Sequence, residues 1–211
     1  MAFSEYQGKL MEMHDYINVM TPFILQKKLN RASIGLFVEG AIVMTVVHYE
    51  EWLKAILTAA VPHRKQAVIE HFKSGANAKE QRLAEGGSRK QLASLIQNRV
   101  SFQRSGASIE RTFLALFNCS SWPDETTRNQ IIEFVVIRNV IVHSLGGGVG
   151  EGDDQPHIAR LKSLKVVTKR SYGDWDVYTV DPILALEHGL RQVMGAIKSQ
   201  FEFLEKELEV K

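Results

Sequence analysis

The sequence predicts an all-α protein, a helical bundle with one small β-hairpin insert, at about 160–180, before the C-terminal helix. Three observations predict it. Apolar residues recur at helical spacing along most of the 211 residues. Only LKSLKVVTKR and DWDVYTV, flanking Ser-Tyr-Gly, carry a strand-and-turn pattern. A composition of 45% hydrophobic and 24% charged residues suits one ordered domain with a sizeable core, residues 1–211 as a single unit.

Taken in order, Phe3 to about Asn30 reads as a helix with Leu10, Met13, Ile17 and Met20 on its apolar side, kinked near Pro22. Ser33 is the expected N-cap of a second helix running to about Ala60. That helix is apolar nearly all round and belongs at the centre of the bundle. Pro62 opens a shorter segment to about Lys73. Residues 74–90 are polar and glycine-containing and read as a loop, and two helices follow, near Arg89–Phe102 and Ala107–Asn118. Asp124 caps the next helix, which ends at Gly146-Gly147-Gly148. Residues 146–157 read as a loop before the hairpin. Asp181-Pro182 then starts a last helix to about Glu209, with Ile183, Leu186, Leu190, Val193, Ile197, Phe201 and Leu204 along one stripe.

Composition narrows the function classes. Cys119 is the single cysteine, which excludes a disulfide scaffold and multi-cysteine zinc and fits a reducing compartment. The N-terminus lacks a basic-then-apolar leader, and the most apolar run, Gly40 to Tyr49, is far shorter than the roughly 20 residues of a membrane span. A cytoplasmic protein without membrane contact is expected. Net charge is +2, unevenly spread: residues 61–111 carry a net +6 and residues 160–170 a net +5, so the rest is strongly acidic. Such asymmetry marks a candidate polyanion-binding face.

Residues 131–145 read IIEFVVIRNVIVHSL. Nine of the thirteen positions from Ile131 to His143 are apolar and encircle the helix, so it should be buried. Set into it are Glu133, Arg138, Asn139 and His143. Unpartnered buried charge costs several kcal/mol, so these groups should line a wet cleft or face another chain. At 100° per residue Asn139 and His143 lie about 40° apart, one turn along one face, while Arg138 lies about 140° from His143. The negative end of the helix should favour a protonated His143. An imidazole beside a guanidinium is what acid–base chemistry at a phosphodiester needs. With 12 Arg, 7 His and 7 Asn in the chain, chance supplies only about 0.01 Arg-Asn-x-x-x-His runs. A satisfied pair of core side chains is the structural alternative.

The run VVIRNVIVHSLGGG resembles the Arg-Asn-x-x-x-His signature of the HEPN superfamily (higher eukaryotes and prokaryotes nucleotide-binding domains). The architectural likeness covers roughly residues 33–209, the motif only 134–146. The resemblance implies a metal-independent endoribonuclease of the toxin–antitoxin or antiphage type, without cofactor. It also implies a homodimer whose motif helices meet in one composite site, and an antitoxin or defence-system partner. Carried over, Arg138 and His143 are the catalytic pair and Asn139 their support. Leu145 stands where tyrosine-modified toxins carry Tyr, which argues against a nucleotidyltransferase antitoxin.

The chemistry is coherent in its own right. A ribose 2′-OH attacks the adjacent phosphate when a base takes its proton, an acid protonates the departing 5′-oxygen and a cation stabilises the phosphorane. Two His143 and two Arg138 across a dyad would supply these groups with no metal. Lys162, Lys165, Lys169 and Arg170 are the candidate RNA-binding residues; Glu50, Glu51 and His48 of the central helix could approach the site, with His48 and Glu51 as candidate auxiliaries and core-edge packing as the alternative. His63 and His71 have no further ligands at useful spacing, so no metal site is expected. Trp52, Trp122 and Trp175 read as packing residues. Neither a phosphate loop nor a nucleophile elbow is present. The competing class is a non-catalytic HEPN-like module for dimerisation or for protein or nucleotide binding.

Overall fold

A computed structural model describes residues 2–26, 29–73, 82, 86–102, 107–143, 155–172 and 175–208. Among these, the chain forms α1 (Ala2–Leu25), α2 (Arg31–Lys73), α3 (Arg89–Arg99), α4 (Ala107–Phe117), α5 (Glu125–Val142) and α6 (Gln155–Ser163). The strands β1 (Val167–Tyr172) and β2 (Trp175–Val180) follow. The last helix, α7, runs Pro182–Ala185, passes through a π-helical turn at Leu186–Leu190 and continues Arg191–Glu207. The expected all-α bundle with one hairpin before the C-terminal helix is what the chain adopts.

Two helices organise the core. α2 packs against α1, α3, α4, α5 and the start of α7, and α5 packs against α2, α6, α7 and β2. Val38, Ile42, Leu53, Ile56 and Leu57 of α2 and Ile132 and Ile137 of α5 have no exposed surface. Each buried side chain of this size contributes about 1.5–3 kcal/mol of transfer free energy. The segment Ala32–Phe72 is long and apolar enough, by length and composition, to cross a membrane, unlike the short apolar run read from the sequence. In the bundle its neighbours are other helices.

Several boundaries differ from the sequence reading, each for a local reason. α1 continues through Pro22, and Gln26 N–H still donates to Pro22 O at 3.0 Å. α2 starts at Arg31 because Asn30, not Ser33, is the cap: its Oδ1 accepts Ser33 N–H at 2.9 Å. The expected break near Pro62 is present as a kink within α2: the backbone leaves helical geometry two residues later, at Arg64 (φ −127°, ψ 23°), so a shorter helical segment does run on to Lys73. The predicted loop over 74–90 lies largely outside the described residues, but its end does not: Ser88 and Gln91 form a reciprocal capping box for α3. Arg89–Arg99 is helical and Val100 extended, which releases Phe102 from the helix expected to include it.

The largest correction concerns residues 155–165. The sequence assigned them to a loop and a strand, yet Gln155–Ser163 is α6, with His157, Ile158 and Leu161 buried. α6 ends where Val166 N–H donates to Leu161 O and Lys165 N–H to Lys162 O, each at 3.0 Å, with Lys165 at φ 60°. That pairing is a Schellman stop. The strands pair antiparallel from Val167↔Val180 to Tyr172↔Trp175, so Ser171 and Tyr172 belong to β1 rather than to the loop. The caps at Asp124 and Asp181 are as expected: Asp124 accepts Thr127 N–H at 2.7 Å, and Asp181 accepts Ile183 and Leu184 N–H at 3.0 and 3.1 Å.

The π-helical turn in α7 brings Gly189 against α5. A Cβ there would meet Ile137 Cδ1 at 3.3 Å and Phe134 Cδ2 at 3.5 Å, so glycine permits close approach to the helix that carries the motif. Trp52 and Trp122 are buried, as packing residues should be.

Candidate functional site

All ten residues from Ile131 to Val140 are buried. Seven are apolar and face the surrounding elements. Glu133, Arg138 and Asn139 are the polar ones, and each is drawn into a contact. His143 lies just past Val142 as the C-cap of α5, with its side chain exposed. Gly146–Gly148 and Leu145 lie outside the described residues.

The motif is linked in series. Arg138 Nη1 donates to Asn139 Oδ1 at 3.1 Å. Asn139 O accepts the His143 N–H at 2.9 Å, the last turn of the helical ladder. Asn139 therefore touches a neighbour on each side, through its side chain and its carbonyl. Arg138 and Asn139 are buried while His143 is open to solvent, so the guanidinium and the imidazole occupy different environments at one helix end.

Behind Arg138 lies a polar cluster that sequence reasoning did not assemble. Glu50 and Lys54 sit one turn apart on α2 and pair at 2.8 Å, both under a tenth exposed. The second Glu50 oxygen accepts Phe102 N–H at 3.0 Å, which ties down the chain after α3. Burial lowers the Arg138 pKa, and the negative charge of Glu50 opposes that effect. Burial likewise pulls Lys54 down, but hydrogen bonds and charge from Glu50 and Glu51 outweigh it and hold Lys54 above the ordinary lysine range. Two cations and two carboxylates thus balance around the centre of α2.

The candidate auxiliaries divide. Glu51 pairs with Lys54 at 3.3 Å and joins the cluster at its half-buried edge. The acid whose charge acts on Arg138 is its neighbour Glu50. His48 is two positions from Glu50, about 160° round the helix. Its pKa is lowered first by burial and then by the charge of Lys9 on α1, so it looks toward α1. Glu133 leaves the motif entirely. It accepts a hydrogen bond from Arg160 at 2.8 Å, and His157 Nδ1 lies 3.8 Å away, which fastens α6 onto α5.

The candidate RNA-binding residues do not share one strand. Lys162 is on α6, with its ammonium 5.1 Å from the centre of the Tyr178 ring. Lys165 occupies the left-handed stop of α6. Lys169 and Arg170 are on β1, opposite Tyr178 and Val177. Lys165, Lys169 and Arg170 are exposed. Since α6 and β2 both rest on α5, these cations ride on elements attached to the motif helix.

Among the described residues, no group of three or more His, Cys, Asp or Glu side chains is arranged to hold a metal ion. The Glu50–Lys54 spacing inside an apolar helix is the signal that could have pointed to the buried cluster. Set against protein-family models, curated proteins and solved structures, the chain finds no match.

Proposed function

We propose that this protein is a metal-independent endoribonuclease of the HEPN type, acting through Arg138, Asn139 and His143. The observation that carries the reading is the placement of the motif at one helix end, with a buried Arg138–Asn139 pair beside an exposed His143. Arg138 Nη1 donates to Asn139 Oδ1, the backbone N–H of His143 donates to Asn139 O as the last rung of the helix, and His143 is exposed where a substrate can reach it. His143 serves as general base or acid for 2′-OH attack, and Arg138 stabilises the charge that accumulates on the phosphorane. The Lys162, Lys165, Lys169 and Arg170 group attracts the backbone phosphates.

One histidine cannot hold and release the proton on both sides of the phosphate at once. A homodimer resolves this by supplying His143 twice. The apolar part of α5 up to Val140 is already covered within one chain, so the dimer would engage the helix end, where Val142 is 44% exposed and His143 lies open. The biological setting that fits is a toxin or antiphage effector in the cytoplasm, restrained by an antitoxin or a defence-system partner.

Purified protein should cleave RNA in EDTA, leaving a 2′,3′-cyclic phosphate or 3′-phosphate and a 5′-hydroxyl. His143→Ala and Arg138→Ala should each lose at least about 10²-fold. Intact RNA with the wild type, or equal cleavage by His143→Ala, rejects the reading. A second reading then takes its place, a non-catalytic helical module for dimerisation or for nucleotide or protein binding. The observation that favours it is the depth of Arg138, 8% exposed and facing Glu50, as a counter-ion in the core would be.

A further inference from the structure

A pocket of about 250 Å³ opens between the first half of α1, the middle of α2 and the second half of α7. No residue of the motif or the hairpin is among its described lining. Its floor is buried and apolar: Leu10 from α1, Trp52 from α2, and Met194 and Ile197 from α7. The Trp52 ring packs against two others, its centre 5.8 Å from that of Tyr49 and 5.4 Å from that of Phe201, so this wall is already formed. Met11 is half exposed and marks the rim.

One charge enters this apolar setting. Lys198 is also part of the lining, one turn beyond Met194, so it projects from the face of α7 that Met194 and Phe201 share. Its side chain is exposed, and no carboxylate among the described residues pairs with it, Glu202 one turn further on included. The described lining itself holds no acid. Apolar walls forgo dispersion contacts until something fills the space between them. A cavity of about 150 Å³ holds one benzene, so 250 Å³ accommodates an apolar body of about ten carbons. Lys198 sets the other end of the ligand. A single ammonium is a point charge that matches one negative charge, and a carboxylate is fully ionised at neutral pH. A phosphate monoester would bring nearly two charges to one cation.

We propose that this pocket binds a small monocarboxylate, its apolar body of about ten carbons held between α1, Trp52 and α7 and its carboxylate on Lys198, at a site separate from Arg138–His143. Burial of the carbon body supplies the affinity, and the ion pair at the mouth selects the head group. Met11 and Met194, unbranched and adaptable, let the walls fit rings or chains of similar volume.

The test is calorimetric titration of the full chain, below any micelle-forming concentration, with decanoate, decylammonium and acetate. Decanoate should bind and acetate should not. Decylammonium should bind at least about tenfold more weakly than decanoate, since attraction at the mouth becomes repulsion. Lys198→Met keeps most of the side-chain length and should weaken decanoate binding about fivefold, while decylammonium binds no more weakly than before. Absent binding of decanoate, equal affinity for decylammonium, or unchanged decanoate affinity in Lys198→Met overturns the proposal. Should the variant fail to fold, the wild type still decides. Its Met11 and Met194 methyl resonances must move on adding decanoate while that of Met44, exposed on α2 and outside the lining, stays in place. Static Met11 and Met194 signals, or movement of Met44 alone, count against the pocket whatever the outcome with RNA.

Discussion

Glu50→Ala should destabilise the protein by about 3–5 kcal/mol, the usual cost of removing one partner from a buried ion pair. The structure explains why the value should be large. Glu50 is 5% exposed, bonds Lys54 at 2.8 Å, accepts Phe102 N–H at 3.0 Å and offsets the charge of Arg138. Alanine leaves the Lys54 ammonium buried with only Glu51, at 3.3 Å, beside it. It also strands a buried amide, which alone costs about 1–3 kcal/mol. Glu51→Ala is the control, since that half-buried partner keeps Lys54 satisfied by Glu50 and should cost about 1 kcal/mol or less. Adding Lys54→Met to Glu50→Ala should recover part of the loss, because an apolar side chain has no charge to strand. In urea, at about 2 kcal/mol per M, the midpoint of Glu50→Ala should fall by roughly 1.5–2.5 M. A midpoint no lower than that of Glu51→Ala would refute the idea that Glu50 is the acid that neutralises the core.

Three further outcomes are expected. Replacing Lys162, Lys165, Lys169 and Arg170 together by Gln should weaken RNA binding and flatten the plot of log affinity against log salt by up to about 3, at about 0.7 per lost single-strand contact; an unchanged slope removes this group from the interface. Sedimentation at micromolar protein should give twice the 23.8 kDa chain mass, falling to one chain for Val142→Arg; a concentration-independent monomer removes the composite site. Asp124 is held below the usual carboxyl range by the N–H and hydroxyl of Thr127, so the stability it lends α5 is full above about pH 4 and is lost as pH falls through its lowered pKa. Acid unfolding followed by circular dichroism should therefore show a shallower loss below about pH 4 for Asp124→Ala than for the wild type.

Where the chain carries local punctuation, the fold was legible. Asp124 and Asp181-Pro182 open helices because a short acceptor side chain reaches the first free N–H groups, a geometry confined to four residues. Ser-Tyr-Gly marked the hairpin loop from sequence although Ser171 and Tyr172 pair within β1, and reading LKSLKVVTKR as one strand extended it backwards into α6. The stop that ends α6 was hidden because Lys165, rather than the usual glycine, takes the left-handed position. Ser33 was read as the cap of α2, but the helix starts at Arg31 and Asn30 takes that place, accepting the Ser33 N–H. The π-helical turn is likewise a tertiary product: Gly189 sits against Phe134 and Ile137, positions remote in sequence.

The candidate site divides along the same line. Arg138, Asn139 and His143 are within five residues, so helix geometry alone relates them, and the hydrogen bonds from Arg138 to Asn139 and from His143 to Asn139 follow that spacing. Glu50 is eighty-eight positions before Arg138, and no periodicity along either helix states that the two face each other. Chain topology does, by packing α2 on α5. The sequence offered Glu50, Glu51 and His48 of α2 as side chains that could approach the site, and rotation about α2 separates them. Glu50 turns inward to Arg138, Glu51 stays at the edge and His48 looks toward Lys9. The same rotation bears on chemistry. A buried guanidinium bonded to Asn139, with the charge of Glu50 acting on it, loses side-chain freedom before any substrate arrives. Such a cation stabilises developing charge with less reorganisation than a mobile surface lysine. The cluster that fastens the core is therefore also the support on which the proposed catalytic cation would depend.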